Sequence, residues 1–165
     1  MDRPSASAAR ELHGRAINID NRVELVVREI LAAVVKRNGE AFIRAMEQLP
    51  DEDMAVKVGQ LAVAIVEYVI LDLHDGRPTD EEVRQIAEAA AEAEAWAGLA
   101  PETFVEAITA VLDHREARLE PRVMAVVPFI LAGYALAAGA EDDEWWFKYL
   151  DRVEAALESQ TWTGR

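Results

Sequence analysis

The sequence contains no cysteine, and serine is scarce. A chain without cysteine has no thiol nucleophile, no zinc knuckle, no CxxC redox pair and no disulfide framework. Serine occurs only at Ser5, Ser7 and Ser159, all in or near the ends of the chain, which argues strongly against a serine hydrolase. The sequence also lacks a P-loop, a glycine-rich dinucleotide turn, a GxSxG elbow and an HExxH motif. The motifs by which many enzymes are identified are therefore missing.

Basic residues are also few relative to acidic ones. The 165-residue chain has 17 lysines and arginines against 31 acidic residues, which gives a net charge of −14. A surface of this kind repels phosphate backbones and anionic lipid headgroups, so we predict no nucleic-acid partner. The imbalance is also uneven, because residues 1–44 carry eight basic and six acidic side chains, whereas residues 45–165 carry nine and twenty-five.

Long apolar runs are rare as well. The first twenty residues contain no apolar segment typical of a secretory signal, so we expect a cytoplasmic location. Residues 123–140 carry no charge and approach the length of a membrane-spanning helix. Pro128 and the many small residues make this run only mildly hydrophobic, so we interpret it as the central helix of a soluble bundle, with a membrane span as the alternative. Gly133 and Ala137, one turn apart, favour close helix contact in either case.

The apolar residues recur at three- and four-residue spacing throughout the chain, and no segment alternates as a strand does. We therefore predict an all-α fold, a compact bundle of about seven helices with short loops and a central apolar helix at residues 121–139. In this prediction residues 20–158 form a single helical domain. Residues 1–19 are a flexible arm, and residues 159–165 are a C-terminal tail.

Capping and turn residues predict where several helices begin and end. Asp20 is placed to cap the first helix, and Asn38-Gly39 is placed to end it. The alanine-rich fourth helix is expected to extend to about Ala97, before Gly98. The seventh helix shows one apolar stripe, which comprises Phe147, Leu150, Val153 and Leu157.

His74 and Asp75 form a histidine-aspartate dipeptide in the segment VILDLHDG, at the predicted end of the third helix. This segment resembles the one that gives the HD-domain metal phosphohydrolases their name. The resemblance implies a divalent metal held by both side chains, together with an upstream histidine and a downstream aspartate. His13, in the N-terminal arm, is the upstream histidine here. The alternative, which we favour, is that His74 lies at a helix C-terminus, where Asp72 and Asp75 stabilise it. We therefore predict that the protein binds no metal and no cofactor.

Two more titratable residues have open interpretations. Glu67 lies within the apolar third helix, on a narrow stripe with Lys57, Gln60 and His74. It is either a buried acid with a raised pKa or part of the solvent edge of a mostly buried helix, and we favour the solvent edge. His114 is near the end of the fifth helix, where we expect it at the surface.

The fourth and fifth helices are predicted to present an acidic surface. Residues 78–113 contain nine acidic side chains, and Arg84 is the only lysine or arginine among them. Glu81, Glu88 and Glu92 fall at the spacing of neighbours on one helix face. Such a face either binds a basic partner or simply keeps the protein soluble.

Aromatic residues gather at the start of the seventh helix. Trp145 and Tyr149, one turn apart, are predicted to lie beside the apolar stripe together with Arg152, and Trp162 follows in the tail. These residue types are enriched at the energetic centres of protein interfaces. The competing interpretation is that the tail folds back over them, or that they pack on the fifth helix.

Taken together, these patterns predict a non-enzymatic acidic helical protein that acts through protein-protein interaction, as a homo-oligomer or as the regulator of a partner. The interface candidates are Glu81, Glu88, Glu92, Trp145, Tyr149, Arg152 and Trp162. One alternative is a metal-dependent hydrolase of the HD type that uses His74 and Asp75. A second alternative is a membrane-associated helical protein anchored by residues 123–140.

Overall fold

The sequence supplies side-chain caps at the start of four helices. The carboxylate of Asp20 accepts a hydrogen bond from the backbone N–H of Arg22, and that of Asp51 accepts one from Met54. Thr79 forms a capping box with Glu82, in which each side chain accepts a hydrogen bond from the backbone N–H of the other residue. Such caps satisfy backbone donors that have no partner within the helix, and each stabilises it by about 1 kcal/mol.

The computed structural model describes residues 19–141 and 144–159, and in these residues it contains seven α-helices and no strand. The helices are α1 (Asn21–Val35), α2 (Gly39–Glu47), α3 (Glu52–Leu73), α4 (Asp80–Ala93), α5 (Pro101–Leu112), α6 (Pro121–Gly139) and α7 (Trp146–Glu158). A single 3₁₀ turn, Ala95–Ala97, follows α4. The predicted all-α bundle with short loops is confirmed. Most of the predicted arm and tail lies outside the described residues.

Helices α6 and α3 form the centre of the bundle. Helix α6 contacts α1, α3, α4, α5 and α7, and α3 contacts α1, α5, α6 and α7. Because α6 has neighbours on most sides, it buries a continuous run of residues from Phe129 to Gly133 as well as Val127, Ala135 and Leu136. The predicted central helix at residues 121–139 is therefore confirmed, and α3 shares the centre with it.

The two central helices are also long and apolar enough to cross a membrane by length and composition. The core helices of a bundle pass the same test. Within the most apolar window of each helix, 61% of α3 and 44% of α6 is buried inside the protein. Both helices therefore find much of their apolar environment within the chain itself.

Two predicted boundaries are wrong. The side chain of Asn38 accepts a hydrogen bond from Ala41 and so begins α2, whereas α1 ends earlier, at Val35. The residue in the left-handed conformation at this turn is Arg37, with φ of 54°. Helix α4 ends at Ala93 and not near Ala97, because the chain tightens into the 3₁₀ turn.

Gly133 allows α6 to approach α1 closely. A Cβ atom at this position would lie 2.5 Å from Cγ1 and 2.8 Å from Cβ of Val34, which is closer than van der Waals contact allows. The prediction that Gly133 permits close helix contact is thereby confirmed. Ala137, one turn later, is exposed and does not share this role.

The loop between α5 and α6 is held by one carboxylate. Glu106 accepts two hydrogen bonds from the guanidinium of Arg115, each of 2.9 Å, and a third from the backbone N–H of Arg118. These hydrogen bonds, led by those from Arg115, lower the pKa of Glu106 from 4.5 to about 2. The ionised carboxylate therefore fixes the entry into the central helix.

We expect Glu106→Gln to lower the free energy of unfolding at pH 7 by about 1 kcal/mol, because the clamp is partly exposed. The folded-state pKa is below that of the unfolded chain, so this stability is present above about pH 4.5 and is lost as the pH falls through about 2. Urea unfolding at several pH values measures the difference. Glu102→Gln, an exposed carboxyl on the same helix, is the matched control, and an equal effect there would contradict the role of the clamp.

Candidate interaction surface

The outer face of α4 is acidic, as the sequence indicates. Glu81, Glu88 and Glu92 are all exposed. The carboxylate of Glu81 pairs with Arg84, one turn away. Within residues 19–141 and 144–159, no cation lies within ion-pair distance of Glu88 or Glu92.

Two aromatic rings are exposed at the start of α7. Trp145 is 67% exposed and Phe147 38%, and their ring centroids are 5.8 Å apart. The half-buried ring of Trp146 meets Phe147 edge-on, at 6.1 Å. The prediction that Phe147 belongs to the apolar stripe is therefore wrong. The fourth interface candidate of this region, Trp162, lies outside the described residues.

Tyr149 is buried, so it is not available as a contact for a partner, in contrast to our expectation. Its hydroxyl donates a hydrogen bond of 2.8 Å to Asp72 on α3. Burial, and then this hydrogen bond, raise the pKa of Tyr149 above its ordinary value. Gly139 makes room for the ring, since a Cβ there would lie 2.7 Å from the Tyr149 ring and 3.1 Å from a methyl carbon of Leu73. The aromatic ring therefore ties α7 to the ends of α3 and α6.

Arg152 is exposed but already has partners. Its guanidinium donates hydrogen bonds of 2.9 and 2.7 Å to the two carboxylate oxygens of Glu144. It also lies 4.7 Å from the centroid of the Tyr149 ring, within cation-π range. Arg152 therefore fixes the start of α7.

The C-terminal end of α3 brings the starts of α4 and α7 to the same end of the molecule. Asp72 binds Tyr149 of α7, whereas His74, two residues later, lies 3.0 Å from Glu82 of α4. Leu73, between them, is 48% exposed. We call this region, made of residues 72–75, 80–81, 139–141 and 144–147, the bundle end.

The bundle end combines exposed apolar side chains with carboxylates that have no ion-pair partner within residues 19–141 and 144–159. Its exposed apolar residues are Leu73, Trp145 and Phe147. Asp75, Asp80 and Glu141 are exposed, and in the part of the chain that the structure describes no cation lies within ion-pair distance of them. The nearby arginines are engaged, because Arg77 pairs with Asp113, Arg84 with Glu81 and Arg152 with Glu144.

The His74-Asp75 dipeptide occupies the turn at the end of α3. His74 pairs through Nδ1 with Glu82 and not with the neighbouring aspartates that we expected. Asp75 takes the left-handed conformation, with φ of 51°, which ends the helix. Among the described residues, no group of three or more histidine, aspartate or glutamate side chains is arranged to hold a metal ion.

Glu67 and His114 form a pair that the sequence did not predict. Glu67 is buried, so the solvent-edge interpretation is wrong, and its carboxylate oxygen lies 2.7 Å from Nε2 of His114. His114 has φ of 52° at the end of α5, and its side chain is 23% exposed, so it is not a simple surface residue either. The pair joins the end of α5 to the C-terminal half of α3 across 47 positions of sequence, which no local pattern could show.

Two other buried glutamates were missed. Glu94 accepts a hydrogen bond from the indole of Trp96, and burial raises the pKa of this carboxyl. Glu154 on α7 lies 3.3 Å from the guanidinium of Arg28 on α1. The sequence does carry a signal for Glu154, because it lies four residues after Leu150 and three before Leu157, on the apolar stripe.

Comparisons with known proteins add no functional information. No family model matches the chain, and neither a curated protein nor a solved structure matches it.

Proposed function

We propose that the protein acts by protein-protein interaction and that its bundle end binds a basic, amphipathic segment of a partner. The observation that carries this proposal is the exposed pair Trp145 and Phe147, at the same end of the bundle as exposed Leu73 and as carboxylates that have no ion-pair partner among the described residues. Large apolar side chains at the centre of a contact and charged groups at its rim are the usual anatomy of a protein interface.

The aromatic pair would provide the apolar centre of this interface. Trp145 stands immediately before the first residue of α7. Tyr149, fixed by Asp72, and Arg152, fixed by Glu144, hold that helix start in place. A rigid aromatic platform loses little conformational entropy on binding, which favours affinity.

The carboxylates specify the charge of the partner. Asp75, Asp80 and Glu141 can form ion pairs with lysine or arginine side chains, whereas the arginines of the region are held by carboxylates of their own chain. Lys148 is exposed on α7 and adds one positive charge. The region stays acidic, so a basic segment is attracted and an acidic one is repelled.

A synthetic amphipathic helical peptide of leucine and lysine tests the proposal without knowledge of the partner. We expect the protein to bind it in a salt-sensitive manner by fluorescence anisotropy, and to bind a leucine-glutamate peptide far more weakly. Trp145→Ala/Phe147→Ala is expected to weaken binding about 30-fold, the size of a typical hot-spot loss of about 2 kcal/mol.

The matched control is Leu25→Ala/Val56→Ala, which removes two exposed apolar side chains from other faces, on α1 and α3. This variant is expected to bind the lysine peptide like the wild-type protein. Equal losses in the two double variants, or equal binding of the lysine and glutamate peptides, would refute the bundle end as the binding surface.

A further inference from the structure

Helices α1 and α2 enclose an open cleft of about 300 Å³. Its walls carry two cationic side chains, Lys36 and Arg44, and small ones such as Ala32 and Ala41. Glu29 lies on the same wall as Lys36, so the cleft has one acidic and two basic groups. Where the walls consist of alanine, another helix can approach closely.

The two cations of the cleft differ from half of the arginines in the described residues. Five arginines form ion pairs with carboxylates, namely Arg28, Arg77, Arg84, Arg115 and Arg152. Lys36 and Arg44 are exposed, and none of the carboxylates of residues 19–141 and 144–159 lies within ion-pair distance of them. In a chain with a net charge of −14, two unpaired cations in one cleft form a local positive site.

We propose that this cleft binds the acidic outer face of α4 from a second copy of the chain. Glu88 and Glu92 are exposed, lack ion-pair partners among the described residues and lie one helical turn apart. Between them Ala89 is exposed, so this part of α4 presents a small side chain to the alanine walls. The charges of the two surfaces are therefore complementary.

The occupant is a second copy because the acidic face that matches the charge of the cleft belongs to this chain and is held at its surface. Helix α4 is packed on α5 and α6, and the 3₁₀ turn after it is held against α2. There Trp96 meets Phe42 edge-on at 5.6 Å, and its ring lies against Gly39. These contacts fix α4 with Glu88 and Glu92 exposed, so the charges are available only to another molecule.

The contact joins two different surfaces of the same protein. Such heterologous contacts build rings or open chains unless a two-fold axis makes the two contacts reciprocal. The inference uses neither Trp145 nor Phe147, so it stands or falls independently of the function proposed for the bundle end.

Two charge-reversal variants test the contact. The first, Lys36→Glu/Arg44→Glu, makes the cleft acidic, and the second, Glu88→Lys/Glu92→Lys, makes α4 basic. In sedimentation velocity at low ionic strength, we expect the wild-type protein to self-associate. Each variant alone is expected to associate about 100-fold more weakly, because like charges then face each other.

Mixing the two variants gives the decisive result. The unchanged basic cleft of the second variant then meets the unchanged acidic α4 of the first, and the two reversed surfaces are also complementary. We expect an equimolar mixture to recover the size of the wild-type assembly. This assembly should dissociate in about 1 M salt, where the Debye length falls to about 3 Å.

Two control variants carry the same types of charge reversal at other positions. Arg22→Glu/Arg122→Glu and Glu102→Lys/Glu120→Lys alter exposed residues that neither line the cleft nor lie on α4, and they should assemble like the wild-type protein. Circular dichroism confirms that each variant is folded. A monomeric wild-type protein, folded variants that keep the wild-type size, or a mixture that stays monomeric would each overturn the proposal.

Discussion

Replacing Gly133 by alanine is expected to lower the free energy of unfolding by about 2 kcal/mol. Alanine normally stabilises a helix by up to about 1 kcal/mol relative to glycine. Here its Cβ would lie 2.5 Å from Cγ1 of Val34, and both residues are in the packed contact between α6 and α1. The helices have to move apart to relieve the overlap, and overpacking of this kind costs more than the gain in helix propensity.

Val34→Ala provides a double-mutant cycle for this contact. The smaller side chain removes Cγ1 but keeps Cβ, which would still lie 2.8 Å from the new methyl group. We therefore expect a partial rescue. The free energy of unfolding of the double variant should be about 1 kcal/mol higher than the sum of the two single effects predicts. Urea denaturation of the four proteins measures this coupling, and strict additivity would contradict the close approach.

Gly59→Ala on α3 is the matched control. A Cβ atom at Gly59 would meet nothing within 4 Å, so alanine there gains helix propensity without a steric cost. It is expected to stabilise the protein by up to about 1 kcal/mol. The same substitution should thus change the free energy of unfolding in opposite directions at Gly59 and Gly133.

The second large effect concerns pH and Glu154. This carboxyl is buried between α7 and α1, where burial raises its pKa from 4.5 to about 7. Arg28 opposes this shift, whereas Glu24 and Asp151 favour it. The guanidinium of Arg28 thus faces three carboxyl groups, because it lies next to Glu154 and forms ion pairs with Glu24 and Asp151.

The direction of the pH effect depends on whether the folded or the unfolded protein holds the proton of Glu154. Between about pH 4.5 and pH 7 the folded protein keeps a proton on Glu154 that the unfolded chain has released. The neutral, buried carboxyl therefore makes its full contribution to the free energy of unfolding below about pH 4.5. This contribution is lost as the pH rises through about 7. Above that pH the protein carries a buried charge that Arg28 only partly compensates.

Glu154→Gln is expected to remove this loss, because glutamine resembles the protonated acid and can still accept a hydrogen bond from Arg28. At pH 8 the variant should be more stable than the wild-type protein by about 2 kcal/mol, and near pH 4.5 the two should be alike. Urea unfolding across this range measures the difference, with Glu158→Gln, an exposed carboxyl on the same helix, as control. A difference that does not change with pH would show that the carboxyl is not protonated in the folded state.

The positions of the helices could largely be predicted from sequence. Periodic apolar residues and the caps at Asp20, Asp51 and Thr79 are local signals, since the groups involved are at most four residues apart. The errors arose where two local choices competed. Asn38 can end one helix or begin the next, and its hydrogen bond to Ala41 shows that it begins α2.

The candidate site was predicted only in part. The exposed acids of α4 and Trp145 lie at the surface as expected, but Tyr149 and Phe147 exchange the roles that we assigned to them. For Tyr149 the deciding partner is Asp72, which lies 77 positions earlier.

The sequence by itself determined that the chain is helical, where most helices begin, that residues 121–139 form a central helix, and that the C-terminal part is acidic. These properties depend on composition and on neighbours within about one helical turn. Only the tertiary structure decided which charges are paired and which are exposed without a partner. It joined Glu67 to His114, placed Glu154 opposite Arg28, and left Lys36 and Arg44 unpaired among the described residues. The reason is physical: an ion pair or a buried carboxyl requires two side chains from separate helices to meet, and their meeting is set by the packing of the whole bundle.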